Sequence, residues 1–445
     1  MNKNKDYLIT EKPSRALFAF ALPMIIGNLF QQAYTIVDSA IVGHYVGETA
    51  LAAVGASYAL TSIFICVAIG GGIGASVIIS QHFGGHAYSR MKTSIRTAML
   101  SFLLISLLLG GIGLCFSRQI MEALNTPADA MDIAVIYLNI YFYGLPFLFM
   151  YNILSSMFNA LGESRIPLYL LIFSSVLNIF LDLYMVATLH LGVAGAAYAT
   201  FIAQGISAVC SFLIFQHTLR RLDGKAETWF SKAEFSSMSR IALPSILQQS
   251  TVSIGMMLVQ SVVNGFGTQI LAGFSAGMRI ESLCVVPMAA IGNALSSYTA
   301  QNIGAEKHER ISLGYRTANI MVAITAVILC LFLELLHRPL IALFLDGAPS
   351  AQTIATGEGY LRFIGFFFCM IGFKMAVDGI LRGAGAVKVF TIANLVNLGL
   401  RVLIAKLGAP VYGIAMIWYA VPLGWLANFL ISYGYYRTGK WKQIK

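Results

Sequence analysis

Two aspartates stand among apolar residues, Asp38 between Tyr34 and Val42 and Asp182 between Val176 and Val186. An ionised side chain at the centre of a membrane span costs about 2.5–3.5 kcal/mol, so each needs a partner or a task. Asn178 and Asp182 are four residues apart, as are Ala196 and Thr200, and on a helix each pair projects from one face. If Asp38 faces them, two carboxylates, an amide oxygen, a hydroxyl and a backbone carbonyl make a hard oxygen cluster, suited to Na⁺ or to a shared proton. No lysine or arginine of the first half lies at that depth. Two such carboxylates cannot both ionise cheaply in a low dielectric, so the pair is expected to share a proton and titrate as one unit. The competing reading of either acid alone is a cap on a helix break or a bond to neighbouring backbone.

The second half carries a different set: Arg279 with Glu281, Lys374 with Asp378, and Arg401. Lys374 and Asp378 are spaced i,i+4, the separation at which opposite charges neutralise one another on a helix. The sequence leaves open whether Glu281 pairs near Arg279 or faces a cleft. Gln31, Tyr34, Tyr137, Tyr141, Met256, Met257, Glu281 and Asp378 form the candidate lining of a substrate cleft, with Met150 and Phe367 as further apolar members. Methionine and aromatic side chains adapt to many shapes, and aromatic faces attract organic cations.

The elements that position these residues must be membrane helices. The chain is 58% hydrophobic and 11% charged, against roughly half apolar and a quarter charged in soluble domains, and its mean hydropathy is +0.76. Apolar runs of about 20 residues, the length that crosses a bilayer core, recur from Ala16 onward with short polar gaps, about twelve in all. That leaves no room for a sizeable soluble domain or nucleotide-binding module. A net charge of +10 invites a nucleic-acid partner, but the bases concentrate in alternate loops: Lys3, Lys5, Lys12 and Arg15; Arg90, Lys92 and Arg96; Arg220 to Arg240; Lys307 to Arg316; Arg382 and Lys388; and Arg437 to Lys445. Such one-sided placement marks the cytoplasmic face of a plasma (inner) membrane protein with both termini inside. No nucleic acid is expected. The six cysteines lie in or beside apolar spans without metal-ligand spacing and read as packing residues. Gly70, Gly71, Gly72 and Gly74 lack the strand and the Gly-Lys-Ser/Thr of a phosphate loop, and are expected to allow close helix approach.

The chain also repeats itself. Ala21-Leu22-Pro23 returns as Ala242-Leu243-Pro244, an offset of 221, and Gln81 and Gly84 return as Gln301 and Gly304. Arg96-Thr97-Ala98 matches Arg316-Thr317-Ala318, Asn178 matches Asn397 at 219, and Val193-x-Gly195-x-Ala197 matches Val411-x-Gly413-x-Ala415. An even number of spans per half gives both halves one orientation, related by a pseudo-two-fold axis along the membrane normal. The expected architecture is therefore an all-α polytopic membrane protein. Twelve transmembrane helices form two six-helix bundles around a central cleft: an N-lobe over 1–216, a cytoplasmic linker over 217–239 and a C-lobe over 240–445. Pro23 and Pro244 fall inside spans and are hinge candidates, with simple packing as the alternative. At these offsets Asp182 becomes Arg401 and Asp38 falls near Val259, so the acidic cluster belongs to the first half alone.

Length, repeat and motifs together resemble the multidrug and toxic compound extrusion family across nearly the whole chain: Pro23 followed by Gln31 and Asp38 in VDSAIVGHYVG, and LRGAG at Leu381 to Gly385. Asp38, Asn178, Asp182, Ala196 and Thr200 match the N-lobe cation site of one prokaryotic branch of that family. The resemblance implies a monomeric secondary antiporter in contact with membrane lipids, without an organic cofactor. It implies export of amphipathic or cationic small molecules in exchange for H⁺ or Na⁺ by rocking lobes, with bending of helix 1 on protonation. If Na⁺ is the ion, Asp38, Asn178, Asp182 and Thr200 are its ligands. Another branch places one acid in helix 7 and another in helix 10; here helix 7 has no carboxylate, although Asp378 lies in helix 10 and Glu281 in helix 8, so the resemblance leaves a C-lobe cation site open. The alternative function is a flippase for lipid-linked oligosaccharide or peptidoglycan precursors, whose anionic cargo favours bases on both lobes. An enzyme is not expected, since no HExxH or Gly-x-Ser-x-Gly is present and no nucleophile stands with a base.

Overall fold

The computed structural model describes residues 6–46, 48–124, 126–345 and 350–443. Lys3, Lys5 and Lys445 of the basic face lie outside these. Among the described residues every regular element is helical, as expected where hydrocarbon surroundings demand that each backbone group be bonded within its own segment. Eleven helices among the described residues are long and apolar enough to span a bilayer, and a bent pair, Ala351–Gly365 and Phe368–Gly383 with 52° between its arms, counted as one span brings the number to twelve. The expected all-α, membrane-spanning class is the one observed.

The chain packs as two compact units, residues 26–246 and residues 1–25 with 247–445. Helices α2 (Pro13–Val46) and α8 (Lys232–Asn264) each begin in one unit and end in the other, dividing two residues past Pro23 and Pro244. Both run unbroken through their prolines. The sequence partition at 216 and 240 follows the repeat, whereas compactness changes hands inside these two helices.

The unit over 26–246 contains the rest of α2, then α3 (Glu48–Gly84), α4 (Tyr88–Ala123), α5 (Ala128–Ala160), α6 (Arg165–Asp182), α7 (Gly192–Arg220) and the start of α8. Close approach is what the glycine run permits: a Cβ on Gly70 would lie 2.5 Å from the backbone nitrogen of Ile246, and one on Gly74 2.6 Å from the carbonyl of Met238. The polar stretch before α8 is fastened to α3 and α4. Lys92 Nζ donates to the carbonyls of Leu222 (2.7 Å) and Gly224 (2.8 Å), and Glu234 accepts from Ser94 (2.7 Å) and pairs with His82 (3.0 Å). Arg90, Lys92 and Arg96 sit in the opening turns of α4 rather than in a loop.

The other unit holds α1 (Tyr7–Thr10), the start of α2, the rest of α8, α9 (Thr268–Gly304), α10 (His308–Ala342), α11 (Ala351–Gly365), α12 (Phe368–Gly383), α13 (Val387–Tyr412) and α14 (Ala415–Arg437). Leu8, Leu17 and Phe20 are fully buried in the same apolar core as Phe274, Tyr298 and Tyr360. The polar backbone of residues 8–11 is fixed from α9 and α10: Asn302 Nδ2 and Arg310 Nη2 donate to the Leu8 carbonyl (3.1 and 3.3 Å), Lys307 Nζ to that of Ile9 (3.0 Å), and Arg310 also to that of Glu11. Arg382, grouped by sequence with the basic loops, lies instead in α12, buried, with Nη2 on Asn293 Oδ1 (2.7 Å) and Nε on Ser296 Oγ (3.3 Å). Gly385, with φ of 75°, turns the chain out of α12, as Gly162, with φ of 80°, does after α5. A left-handed backbone of this kind suits glycine, which has no Cβ to clash.

Candidate functional site

Four helices of the 26–246 unit converge on one polar cluster, each contributing side chains one turn apart. Helix α2 supplies Tyr34 and Asp38, α6 supplies Asn178 and Asp182, α7 supplies Ala196 and Thr200, and α5 supplies Tyr137 and Tyr141. The i,i+4 spacing puts each pair on one face, so the sequence reading of α6 and α7 holds as geometry. Asp182 has no exposed surface, Asn178 has 2% and Ala196 5%. Asp38 and Asp182 are near enough to act on one another electrostatically.

Asn178 organises the rest. Its amide satisfies both ends only with Nδ2 toward the acid: Nδ2 then donates to Asp182 Oδ2 (2.8 Å) and lies 2.7 Å from Tyr34 Oη, while Oδ1 accepts from the backbone N–H (3.1 Å) and hydroxyl (3.3 Å) of Thr200. One amide thus ties three of the helices together. Asp182 ends α6, and the next turn, Leu183–Thr188, is a π-helix, a local widening common at functional sites. No proline marks it in the sequence. One oxygen of each acid, Asp38 Oδ1 and Asp182 Oδ1, is buried without a hydrogen-bond partner. A buried carboxylate oxygen left unpaired is costly, and a proton or a small hard cation satisfies it.

Beside the cluster lies a small pocket whose lining includes Tyr137, Tyr141, Thr200, Phe201 and Gln204. The tyrosine candidates of α5 therefore join the cation cluster and the pocket through one wall. Gln31 does not join them. It is exposed on α2, where its carbonyl accepts from the Thr35 hydroxyl at 2.9 Å.

Met256, Met257, Glu281 and Asp378 belong to the other unit. Met257 is 66% exposed. Asp378 is buried and taken up by structure: Lys374 Nζ pairs with its Oδ2 at 2.8 Å, at an angle that makes no hydrogen bond, and Ser432 donates to its Oδ1 at 2.8 Å. The same lysine donates to Asn394 Oδ1 (3.1 Å), which also accepts from Asn428 (3.1 Å). This is the neutralising arrangement expected from the spacing. Glu281, left open by sequence, accepts a hydrogen bond from the Tyr360 phenol, with Arg401 close enough to act on it electrostatically. Sequence reading passed over Tyr360, although a signal existed: Tyr-Leu at 137–138 returns at 360–361, an offset of 223.

The MatE family model matches this chain twice, over residues 23–184 and 244–407, beginning each time at one of the two helix prolines. The chain belongs to the MatE family. A probable multidrug resistance protein of Bacillus subtilis, YpnP, is 30% identical over 434 residues, covering 97% of this MatE chain and 96% of its own. An FAD transporter of Shewanella oneidensis is 23% identical, with 95% and 94% covered. Among solved structures, an outward-facing multidrug resistance MATE transporter of the MOP superfamily superimposes with a TM-score of 0.90 at 22% identity over the full length of both chains. A MOP superfamily transporter from Pyrococcus furiosus, described as having a binding pocket of reversed polarity, gives 0.91 at 22% over 99% of each. At such identity these two share the fold with this MatE protein. The expected family is thus the one found.

Proposed function

We propose that this MatE protein is a secondary active efflux transporter that exports amphipathic, often cationic, small molecules in exchange for inward H⁺ or Na⁺. The observation that carries the reading is the pairing of two neighbouring acids, Asp38 and Asp182, each with a buried oxygen lacking a hydrogen-bond partner, and Asn178, Tyr34 and Thr200 arranged around Asp182. Two neighbouring carboxyl groups in a low dielectric favour a shared proton or a cation in its place. Loss of that proton or cation leaves two like charges side by side in a poorly screened interior, which favours a different arrangement of α2 against α6. The adjoining pocket, walled by Tyr137, Tyr141 and Phe201, offers aromatic faces to an apolar cation.

The multidrug resistance relatives support export of small molecules, and the helix composition supports a multi-pass membrane location. We place the protein in the inner membrane with both termini in the cytoplasm, where the basic loops predominate. One charge moved through 100 mV releases about 2.3 kcal/mol, enough to drive transport without ATP. The two units would act as the rocking bodies of alternating access, with α2 and α8 as the helices that pass between them.

The test is efflux of a fluorescent lipophilic cation from loaded proteoliposomes under imposed H⁺ or Na⁺ gradients, comparing the natural chain with Asp38→Asn and Asp182→Asn. Gradient-driven efflux that either substitution abolishes is expected, and the effective gradient names the ion. Efflux that survives both substitutions refutes coupling through this cluster. Absence of efflux under every gradient, with the protein folded, favours the flippase.

A further inference from the structure

The other unit carries the counterpart of the cation cluster with its residues exchanged in a consistent direction. At offsets of 218 to 223, Asp38 corresponds to Val259, Asp182 to Arg401, Thr200 to Trp418 and Tyr137 to Tyr360. The first exchange removes an acid, the second reverses a charge and the third replaces a hydroxyl with an indole. Asn178 keeps its counterpart Asn397, but of these four only the tyrosine persists. Its phenol donates to Glu281, whose counterpart at an offset of 220 is Thr61 on α3. An acid is therefore present beside the tyrosine in both units, but supplied from different helices.

The surroundings of Glu281 are closed. Glu281 is 5% exposed and Tyr360 fully buried; Val259 is fully buried too, and the Trp418 ring stands 6.1 Å from that of Tyr360. Arg401 lies within electrostatic reach of both Glu281 and Tyr360 without a direct ion pair to the acid, and its Nε is buried with no hydrogen-bond partner. On the same helix as Glu281, Cys284 is the further titratable group acting with it. Lys374, Asp378 and Arg382 of α12 form their own network, with Asp378 held by Lys374 and Ser432 and Arg382 by Asn293 and Ser296.

We propose that Arg401 is a tethered cation: it stands, at the position equivalent to Asp182, in place of the exchangeable ion, so that Glu281 needs none and the molecule has a single exchangeable cation site. This rests on the reading of Asp38 and Asp182 as that site. A guanidinium cannot leave, and it stays protonated in proteins, so it holds the second half permanently in a charge-compensated form. The first half, lacking any such base, must take its cation from outside. Removing the guanidinium uncovers Glu281 as a second cation-dependent group.

The experiment is thermal unfolding of the full-length protein in detergent as Na⁺ concentration and proton concentration are varied. The natural chain is expected to gain stability with one of the two cations, and Asp38→Asn/Asp182→Asn to lose that gain. If the natural chain shows no gain that these substitutions remove, the coupling reading of the first cluster fails on its own. In the Asp38→Asn/Asp182→Asn background, adding Arg401→Ala is expected to restore a cation-dependent rise in Tm of a few degrees, which Glu281→Gln abolishes. Arg401→Lys, which keeps a tethered charge, is expected to remain insensitive. The proposal is overturned if the background keeps its cation dependence with Arg401 intact, if Arg401→Ala adds none, or if Glu281→Gln leaves it in place. Should Arg401→Ala fail to fold, Arg401→Ala/Glu281→Gln is expected to fold again, since no buried charge is then left uncompensated. A double variant that stays misfolded also overturns it.

Discussion

Replacement of Asn178 by alanine isolates what the amide does for the acid pair. The side chain makes four polar contacts, to Asp182 Oδ2 at 2.8 Å, Tyr34 Oη at 2.7 Å, and the Thr200 N–H and hydroxyl at 3.1 and 3.3 Å. The contact with Asp182 involves a carboxylate, and hydrogen bonds to charged groups contribute about 1.5–3 kcal/mol. Each 1.4 kcal/mol is about tenfold in an equilibrium constant. The amide positions Asp182 for the bound cation, so its loss is expected to weaken apparent affinity for the coupling ion by about 10- to 100-fold. The measurement is the ion concentration giving half-maximal gradient-driven efflux from proteoliposomes. A second arm compares the thermal stability lost on Asn178→Ala in the natural chain and in the Asp182→Asn background, where the charged acceptor is already gone and the further loss is expected to be small. Asn178→Ala with an unchanged half-maximal concentration, or equal losses in both backgrounds, refutes the assignment of Asn178 as the organiser of the pair.

Lys374→Met leaves Asp378 buried without its cation and is expected to cost about 3–5 kcal/mol, whereas Lys374→Met/Asp378→Leu recovers most of it; thermal unfolding compares them, and equal destabilisation in both contradicts the ion-pair reading. A Cβ on Gly379 would fall 2.3 Å from the Gly292 carbonyl, backbone that cannot swing aside, so Gly379→Ala should part α12 from α9 and sharply lower folded yield on size exclusion, and a normal yield would show that the helices have room to spare. Arg310→Ala removes the donors to the Leu8 and Glu11 carbonyls and should make residues 6–12 open to protease in the intact protein; unchanged cleavage kinetics would locate the hold in Leu8 and Ile9 burial instead.

Much of this was legible in the sequence because hydrocarbon surroundings are a severe filter. Apolar runs of span length announce helices, and a charge inside one stands out, which is how Asp38 and Asp182 were found. Periodicity then placed Asn178 with Asp182 and Ala196 with Thr200. It could not orient the Asn178 amide, because that depends on which atoms arrive from α2 and α7. The π-helical turn after Asp182 has no sequence marker, and Gln31, a candidate for the cleft lining, is exposed on α2 about two turns before Asp38. Arg382 was misplaced among the loops because basic residues beside a Gly-rich turn look solvated; its burial depends on Asn293 and Ser296, distant in sequence. The division of α2 and α8 between units was equally hidden, since each helix continues unbroken through its proline.

That division bears on how the chain is made. Residues 26–246 are one continuous stretch and hold every partner of that unit once Ile246 has emerged. The other unit is different. Its residues 8–25 are synthesised ahead of the 26–246 unit, yet Leu8, Leu17 and Phe20 share their buried core with residues from Val259 onward, and the donors to residues 8–11 are at Asn302, Lys307 and Arg310. The opening segment must therefore wait, with its apolar face and carbonyls unsatisfied by their final partners, while more than half of the protein is synthesised and inserted. A chain interrupted near residue 246 would contain one finished unit and one orphaned leader, a distinction that quality-control proteases are equipped to read.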